Sequence, residues 1–217
     1  MRLDEDPWRA VGAPCPVLPD GETPRLPSTY YTPRAHGLAQ AGMALRALAV
    51  HEAAHAVTSE LTGGRVHGVV LYPNVVTPPG QPQPVGQTYA TSPTRGLEPG
   101  SEGYAHAARR RAVMLLAGCL AEREYLGIVD GGGQGDDEAA LALLDRGVAT
   151  VPPEQAHAEC VQLAARLLAQ PAVRQSILAV AEALVRRGRL AGDEVRAAMF
   201  PLGSRGTRLD PGAAAAD

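Results

Sequence analysis

The stretch AVHEAAHAV, residues 49–57, decides how this chain folds. It lies in an Ala- and Leu-rich segment without proline, Leu38–Leu61, which predicts a helix that ends before Gly63–Gly64. Four residues along a helix correspond to a rotation of about 40° and a rise of about 6 Å, so His51 and His55 project from one face. We therefore expect two imidazoles, one turn apart, on a single helix.

The two histidines have the spacing of a metal site. Zn²⁺ binds neutral imidazole nitrogens at about 2.0–2.1 Å, and a glutamate directly after the first histidine can act as a general base on water. The H-E-x-x-H pattern therefore predicts zinc ligands at His51 and His55, a catalytic base at Glu52, and metal-assisted hydrolysis. The competing interpretation is that two histidines share a partly buried helical face by chance.

The composition of the chain argues against several classes of protein. The formal net charge is -3 and the basic residues are all Arg, so we expect no nucleic-acid partner. No apolar run approaches the roughly 18 residues of a membrane span, and the N-terminus has no apolar signal segment. The sequence thus predicts a soluble cytoplasmic protein without membrane insertion. Cys15, Cys119 and Cys160 lie far apart, which predicts packing residues or an exposed thiol and not a disulfide framework or a cysteine zinc site.

The pattern of the chain divides it into three parts. Residues 1–37 are proline-rich and predict a disordered or extended arm, and residues 203–217 predict a flexible tail. Between them, residues 38–202 predict one domain that is mainly α with a small β-sheet. Its first strand is expected at Val66–Tyr72, and after a proline-rich loop its antiparallel partner is expected at Val85–Thr91.

Helical spacing resumes at Ser101. Five further helices are predicted, at 101–127, 136–146, 153–169, 171–187 and 192–199. The run Arg109–Arg111 in the first of them is interpreted as a solvated helix face.

A catalytic zinc usually takes a third protein ligand, and the residues leave two regions open. Glu122 shares the apolar face of its predicted helix with Cys119, so its carboxylate needs a partner such as an imidazole, a metal or an arginine. Glu124 lies in the same region. Asp136 and Asp137 open the next helix, where aspartate is also favoured as a cap. The sequence pattern alone does not show whether these aspartates bind a metal or cap the helix.

Several segments of the chain, between about Met43 and Met199, resemble the peptidase domain of FtsH, the membrane-anchored AAA+ zinc protease. HEAAHA at 51–56 is similar to the family's H-E-A-G-H-A helix, and VHGVVLYP at 66–73 to its V-H-K-V-x-I-x-P strand. LLAGCLAER at 115–123 is similar to L-L-G-G-R-A-A-E-E, and GGQGDDEAA at 132–140 to G-A-S-N-D-x-x-x-A. The order of the segments is also that of the family.

The resemblance implies an FtsH-like zinc metallopeptidase domain with Asp136 as the third zinc ligand, because Asp136 matches the family's ligand aspartate. Asp137 is the alternative if the register shifts by one residue. Arg123 replaces the second glutamate of the family's acidic pair, so the resemblance leaves Glu122 alone to support the site by orienting a ligand histidine.

The expected activity is that of a zinc-dependent metalloendopeptidase. Since the sequence contains neither the ATPase module nor the membrane anchor of the family, we expect ATP-independent hydrolysis of peptides or unfolded proteins. An extended substrate is expected to add to the sheet edge at Val85–Thr91. The alternatives are a low-activity binding or adaptor module that works with a separate ATPase, and a hydrolase of non-peptide bonds. A homo-oligomer is left open, because the family forms hexameric rings.

Overall fold

The computed structural model describes residues 38–71, 86–127, 134–148 and 150–199. In these ranges the chain forms six helices and one three-stranded sheet, so the predicted class, mainly α with a small sheet, is confirmed. In chain order the elements are α1 (Leu38–Leu61), β1 (Arg65–Leu71), β2 (Gly86–Thr91), α2 (Glu102–Leu126), α3 (Gln134–Gly147), α4 (Pro153–Leu168), α5 (Pro171–Arg187), β3 (Arg189–Ala191) and α6 (Gly192–Ala198). The predicted arm, the proline-rich loop and the tail lie outside the described residues.

Helix α1 is the centre of the fold. It packs against α2, α5, β1 and β2, and every residue from 47 to 59 is buried. Its many alanines are short, so neighbouring elements approach it closely on all sides. The helix ends as predicted, and Gly63 follows it with a positive φ of 88°.

The sheet has the order β2-β1-β3, with both pairings antiparallel. The two predicted strands are confirmed, and β1 begins one residue earlier than expected, at Arg65. The predicted end of β1 at Tyr72 and the predicted start of β2 at Val85 lie outside the described residues. Strand β3 was not predicted from the sequence. It is three residues long and pairs with Gly68–Val70, so a tertiary contact defines it and local propensity does not.

The predicted helices after Ser101 are confirmed, with small shifts at their ends. The Ser101 side chain caps α2 by accepting a hydrogen bond from the Tyr104 backbone N–H at 3.1 Å. Helix α3 begins at Gln134, so Asp136 and Asp137 both lie in its first turn. No helix in the described part of the chain is both long and apolar enough to cross a bilayer.

The prediction of a solvated face at Arg109–Arg111 is wrong, because all three arginines are half-buried. Helix α2 packs between α1, α3 and α4, which leaves it little free surface. Arg109 forms an ion pair with Glu159 of α4 at 2.5 Å, and Arg111 donates to the Met114 sulfur at 3.2 Å. This basic run therefore helps to pack the helices together.

Candidate metal centre

Three helices bring the predicted site residues together in the core. Helix α1 carries His51, Glu52 and His55, helix α2 carries Glu122, and helix α3 carries Asp136. Each of these five residues is no more than 4% exposed. Packing of α2 against both α1 and α3 places a carboxylate from the first turn of α3 directly opposite the two imidazoles.

The Nε2 atoms of His51 and His55 and the Oδ2 atom of Asp136 converge on one point. The two nitrogens are 2.9 Å apart, and Oδ2 is 3.1 Å from His51 Nε2 and 3.2 Å from His55 Nε2. Donor atoms of a tetrahedral zinc site with bonds of about 2.0–2.1 Å lie about 3.3 Å apart. The three atoms therefore fit a single Zn²⁺ ion with little movement.

The hydrogen bond made by the Nδ1 atom of each imidazole determines which ring nitrogen carries the proton and which carries the lone pair. His55 Nδ1 is 2.8 Å from the backbone carbonyl oxygen of Met114, which can only accept, so Nδ1 carries the proton. His51 Nδ1 is 2.8 Å from Glu122 Oε1 and donates to that carboxylate in the same way. In the neutral rings both Nε2 atoms then present lone pairs to each other and to Asp136. A proton on one of these atoms, or a cation bound by all three, would stabilise this arrangement.

The electrostatics of the cluster also favour a cation. Burial acts to lower the pKa of His51, but its hydrogen bonds to the Asp136 and Glu122 carboxylates outweigh that effect and raise the pKa well above the ordinary value. Burial acts to raise the pKa of Asp136, yet the two histidines hold it far below its usual range. A proton on His51 and a metal ion would therefore satisfy the same excess of negative charge.

Glu52 lies against the cluster with its carboxylate only partly bonded. The Thr88 hydroxyl of β2 donates to Glu52 Oε2 at 2.8 Å, whereas Oε1 is buried without a hydrogen-bond partner among the described residues. Burial raises the pKa of Glu52, and the two nearby histidines offset part of that rise. The free oxygen is thus available to exchange a proton with a bound molecule.

Two glycines make room for these side chains. A Cβ atom on Gly118 of α2 would lie 2.7 Å from the His51 ring, and one on Gly86 of β2 would lie 2.7 Å from Glu52 Cγ. Contacts this short are excluded for carbon atoms. The small residues therefore allow α2 and β2 to approach α1 closely enough to form the cluster.

The neighbouring aspartate points elsewhere. Asp137 is exposed, and its Oδ1 atom is 2.9 Å from His157 Nε2 on α4. Of the two aspartates left open by the sequence, only Asp136 reaches the cluster.

Two further histidines lie away from the cluster. His67 on β1 bonds to the Thr91 hydroxyl at 2.7 Å, and His106 is exposed on α2, so neither belongs to the cluster. His36 lies outside the described residues.

Cys119 was missed by the sequence analysis. Its sulfur, a ligand atom of His51 and a ligand atom of Asp136 all lie within 4.8 Å of one another, so the interpretation of Cys119 as a packing residue is incomplete. Burial raises the pKa of the Cys119 thiol to about 11. The sequence contained one indication that Cys119 lies near the site, because Cys119 is three residues before Glu122 on the same helix face.

The cluster thus contains three convergent metal donors, a buried carboxylate with a free oxygen, and a cysteine beside them. Such an arrangement can hold a divalent ion and move a proton next to it. The comparisons with known proteins add no family assignment: no protein-family model matches this chain, and no curated protein does either.

Proposed function

We propose that the chain is a zinc-dependent metallopeptidase with an FtsH-like domain, in which His51, His55 and Asp136 hold the ion. The observation that carries the proposal is the convergence of two imidazole nitrogens and one carboxylate oxygen within 3.2 Å of one another. All three atoms are acceptors once the far sides of the rings have donated their protons. Buried acceptors without a donor are costly, and a bound cation removes that cost.

When bound, Zn²⁺ supplies a Lewis acid that polarises a carbonyl and makes water nucleophilic near neutral pH. Glu52 is the proposed general base. Its Oε1 atom accepts a proton from the attacking water and then delivers it to the nitrogen of the leaving amine. Its other oxygen stays fixed by the Thr88 hydroxyl, which keeps the carboxylate in one orientation.

Two contacts on α2 hold the histidines in the required tautomer. Glu122 accepts from His51 Nδ1, and the Met114 carbonyl accepts from His55 Nδ1, both at 2.8 Å. With these protons fixed, each ring keeps its Nε2 lone pair for the ion. The role proposed for Glu122 is therefore to orient His51 and increase its basicity.

The substrate class follows from the position of β2. This strand pairs with β1 on one side, and its other side has no strand partner among the described residues. An extended peptide can add to such an edge through main-chain hydrogen bonds. Thr88 on β2 contacts Glu52, so a chain bound along this edge would pass beside the proposed base. We therefore infer peptides and unfolded proteins as substrates.

The test compares the wild type with Glu52→Gln on casein and on a peptide library, together with the zinc content of each protein. We expect one zinc per chain in both, and a loss of about 10²–10⁴-fold in hydrolysis for the variant, because general-base catalysis contributes about that much. Glu98→Gln, an exposed position in the described loop before α2, is the matched control and should retain wild-type activity.

Two outcomes would contradict the proposal. Equal hydrolysis by the wild type and Glu52→Gln would remove Glu52 as the base. If the wild type and Cys119→Ser both bind zinc but neither hydrolyses any substrate, the result would instead support the binding or adaptor module that the sequence left as an alternative.

A further inference from the structure

Cys119 offers a further potential metal donor close to His51 and Asp136. It lies on α2 directly after Gly118, the residue whose lack of a side chain admits the His51 ring. Its sulfur is within 4.8 Å of ligand atoms of both His51 and Asp136, and its side chain is only partly exposed. Thiolate sulfur is among the ligands that Zn²⁺ prefers in proteins.

The surroundings of Cys119 point independently to a ligand. The Nε2 atoms of His51 and His55 and the Oδ2 atom of Asp136 lie within 3.2 Å of one another. Glu52 Oε1 is buried without a hydrogen-bond partner among the described residues. Three protein donors also leave one position of a tetrahedral ion unfilled. Cys119 therefore lies beside a polar cluster that can bind a cation.

The other described cysteine has a different environment. Cys160 of α4 is completely buried in the hydrophobic core, and its thiol is 3.8 Å from the Arg109 backbone oxygen. It belongs to no group of potential metal donors in the described part of the chain. It therefore provides a matched control for any effect that is specific to Cys119.

We propose that Cys119 is the fourth protein ligand of the metal in the resting protein, so that its thiolate occupies the position that hydrolysis needs for water. This inference rests on the proposed metal site and adds regulation to it. Binding of the Cys119 sulfur to the metal would require its thiol proton to pass to solvent, and on release the sulfur would take a proton back. The resting site is thus closed, and release of Cys119 opens it to substrate.

The test replaces zinc with Co²⁺, whose absorption reports its ligands, in the full-length chain and in Cys119→Ser and Cys160→Ser. We expect one cobalt per chain in all three proteins. A sulfur-to-cobalt charge-transfer band in the near ultraviolet should appear in the wild type and in Cys160→Ser, and it should be lost in Cys119→Ser. The visible cobalt bands should persist in Cys119→Ser, which shows that the variant is folded and loaded.

Two further measurements follow from the same proteins. In chelator competition, Cys119→Ser should bind zinc at least about 10-fold more weakly, since loss of an outer partner alone costs about 10–100-fold. At saturating zinc, hydrolysis of a peptide substrate should rise several-fold in Cys119→Ser and stay unchanged in Cys160→Ser. Unchanged hydrolysis in Cys119→Ser would overturn the closed resting state.

The results separate this inference from the proposed function. A wild type that binds cobalt stoichiometrically without the charge-transfer band would overturn the role of Cys119 and leave the three-donor site intact. A charge-transfer band that persists in Cys119→Ser would likewise show that Cys119 is not the sulfur ligand. A wild type that binds neither cobalt nor zinc would overturn both proposals.

Discussion

Asp136 and Asp137 are adjacent in the sequence and contact histidines at nearly the same distance, but they differ in burial and in the number of polar groups around them. Asp136 lies 3.1 and 3.2 Å from two histidines on α1, and its side chain is 6% exposed. Asp137 lies 2.9 Å from His157, with a side chain that is 58% exposed. The comparison shows that the residue types and the distance do not define the site. The site is defined by burial and by the convergence of several hydrogen-bond acceptors.

The physical reason lies in the solvent around each pair. Water screens the Asp137–His157 contact, and exposed ion pairs contribute about 0–1 kcal/mol. Asp136 has no such screening, and the nearby histidines keep its pKa far below the ordinary range although burial opposes this. A buried carboxylate held ionised in this way needs hydrogen-bond donors or a positive charge next to it.

The largest expected difference between the two aspartates is in metal content. If the proposed site binds zinc, Asp136→Ala should reduce the bound zinc from about one per chain to almost none, because the change removes a proposed ligand atom and leaves two imidazoles. Asp137→Ala should keep wild-type zinc. Elemental analysis of both purified proteins measures the difference. Equal zinc content in the two variants would contradict the three-donor site.

A smaller effect is expected at the carboxylate behind His51. Glu122→Gln replaces an acceptor that orients and polarises the ring, and such replacements weaken metal binding by about 10–100-fold. Glu124→Gln, an exposed position two residues later on the same helix, is the control and should have no effect. Competition with a zinc chelator measures both affinities. A Glu122→Gln protein with wild-type affinity would show that this contact is structural only.

The close approach of α2 to α1 can be tested at Gly118. Gly118→Ala places a methyl group 2.7 Å from the His51 ring, and overpacking of this kind costs about 1–3 kcal/mol. The helical preference of alanine returns about 1 kcal/mol of that. Gly103→Ala, where the added methyl meets nothing within 4 Å, should instead be neutral or stabilising. Denaturant unfolding compares the two, and a stability of Gly118→Ala equal to that of Gly103→Ala would disprove the close contact.

The smallest effect is expected at the exposed pair. His157→Gln should change the free energy of unfolding by less than about 1 kcal/mol and should leave zinc content unchanged, because water already solvates its partner Asp137. The same unfolding and metal measurements apply. A clear loss of zinc in this variant would mean that the surface pair supports the site, and the contrast between the two aspartates would have to be abandoned.

The elements that the sequence predicted well have strong local causes. Helix α1 follows from a proline-free run of helix formers that ends before Gly63, and helices α4 and α5 begin at prolines that suit a first helical turn. Strand β3 has no such local cause, because three residues acquire strand geometry only by pairing with β1. The half-buried state of Arg109–Arg111 likewise depends on helices that pack from distant parts of the chain.

The candidate site divides in the same way. The pairing of His51 with His55 follows from helix geometry alone, and the apolar face of α2 already indicated that Glu122 needs a partner. The choice between Asp136 and Asp137 had no local answer, since neighbouring residues on a helix point about 100° apart and either could face the core. The position of Cys119 near the metal donors was not predicted, because these donors lie on α1 and α3.

What the sequence determined by itself is the set of donors on α1 and their common direction, because a regular helix fixes the relative positions of residues one turn apart. What the tertiary structure alone decided is which acid and which thiol meet them. That outcome depends on how three helices pack, and therefore on Gly118 and on the rotation of α3 about its axis, neither of which can be read from a single segment of the chain.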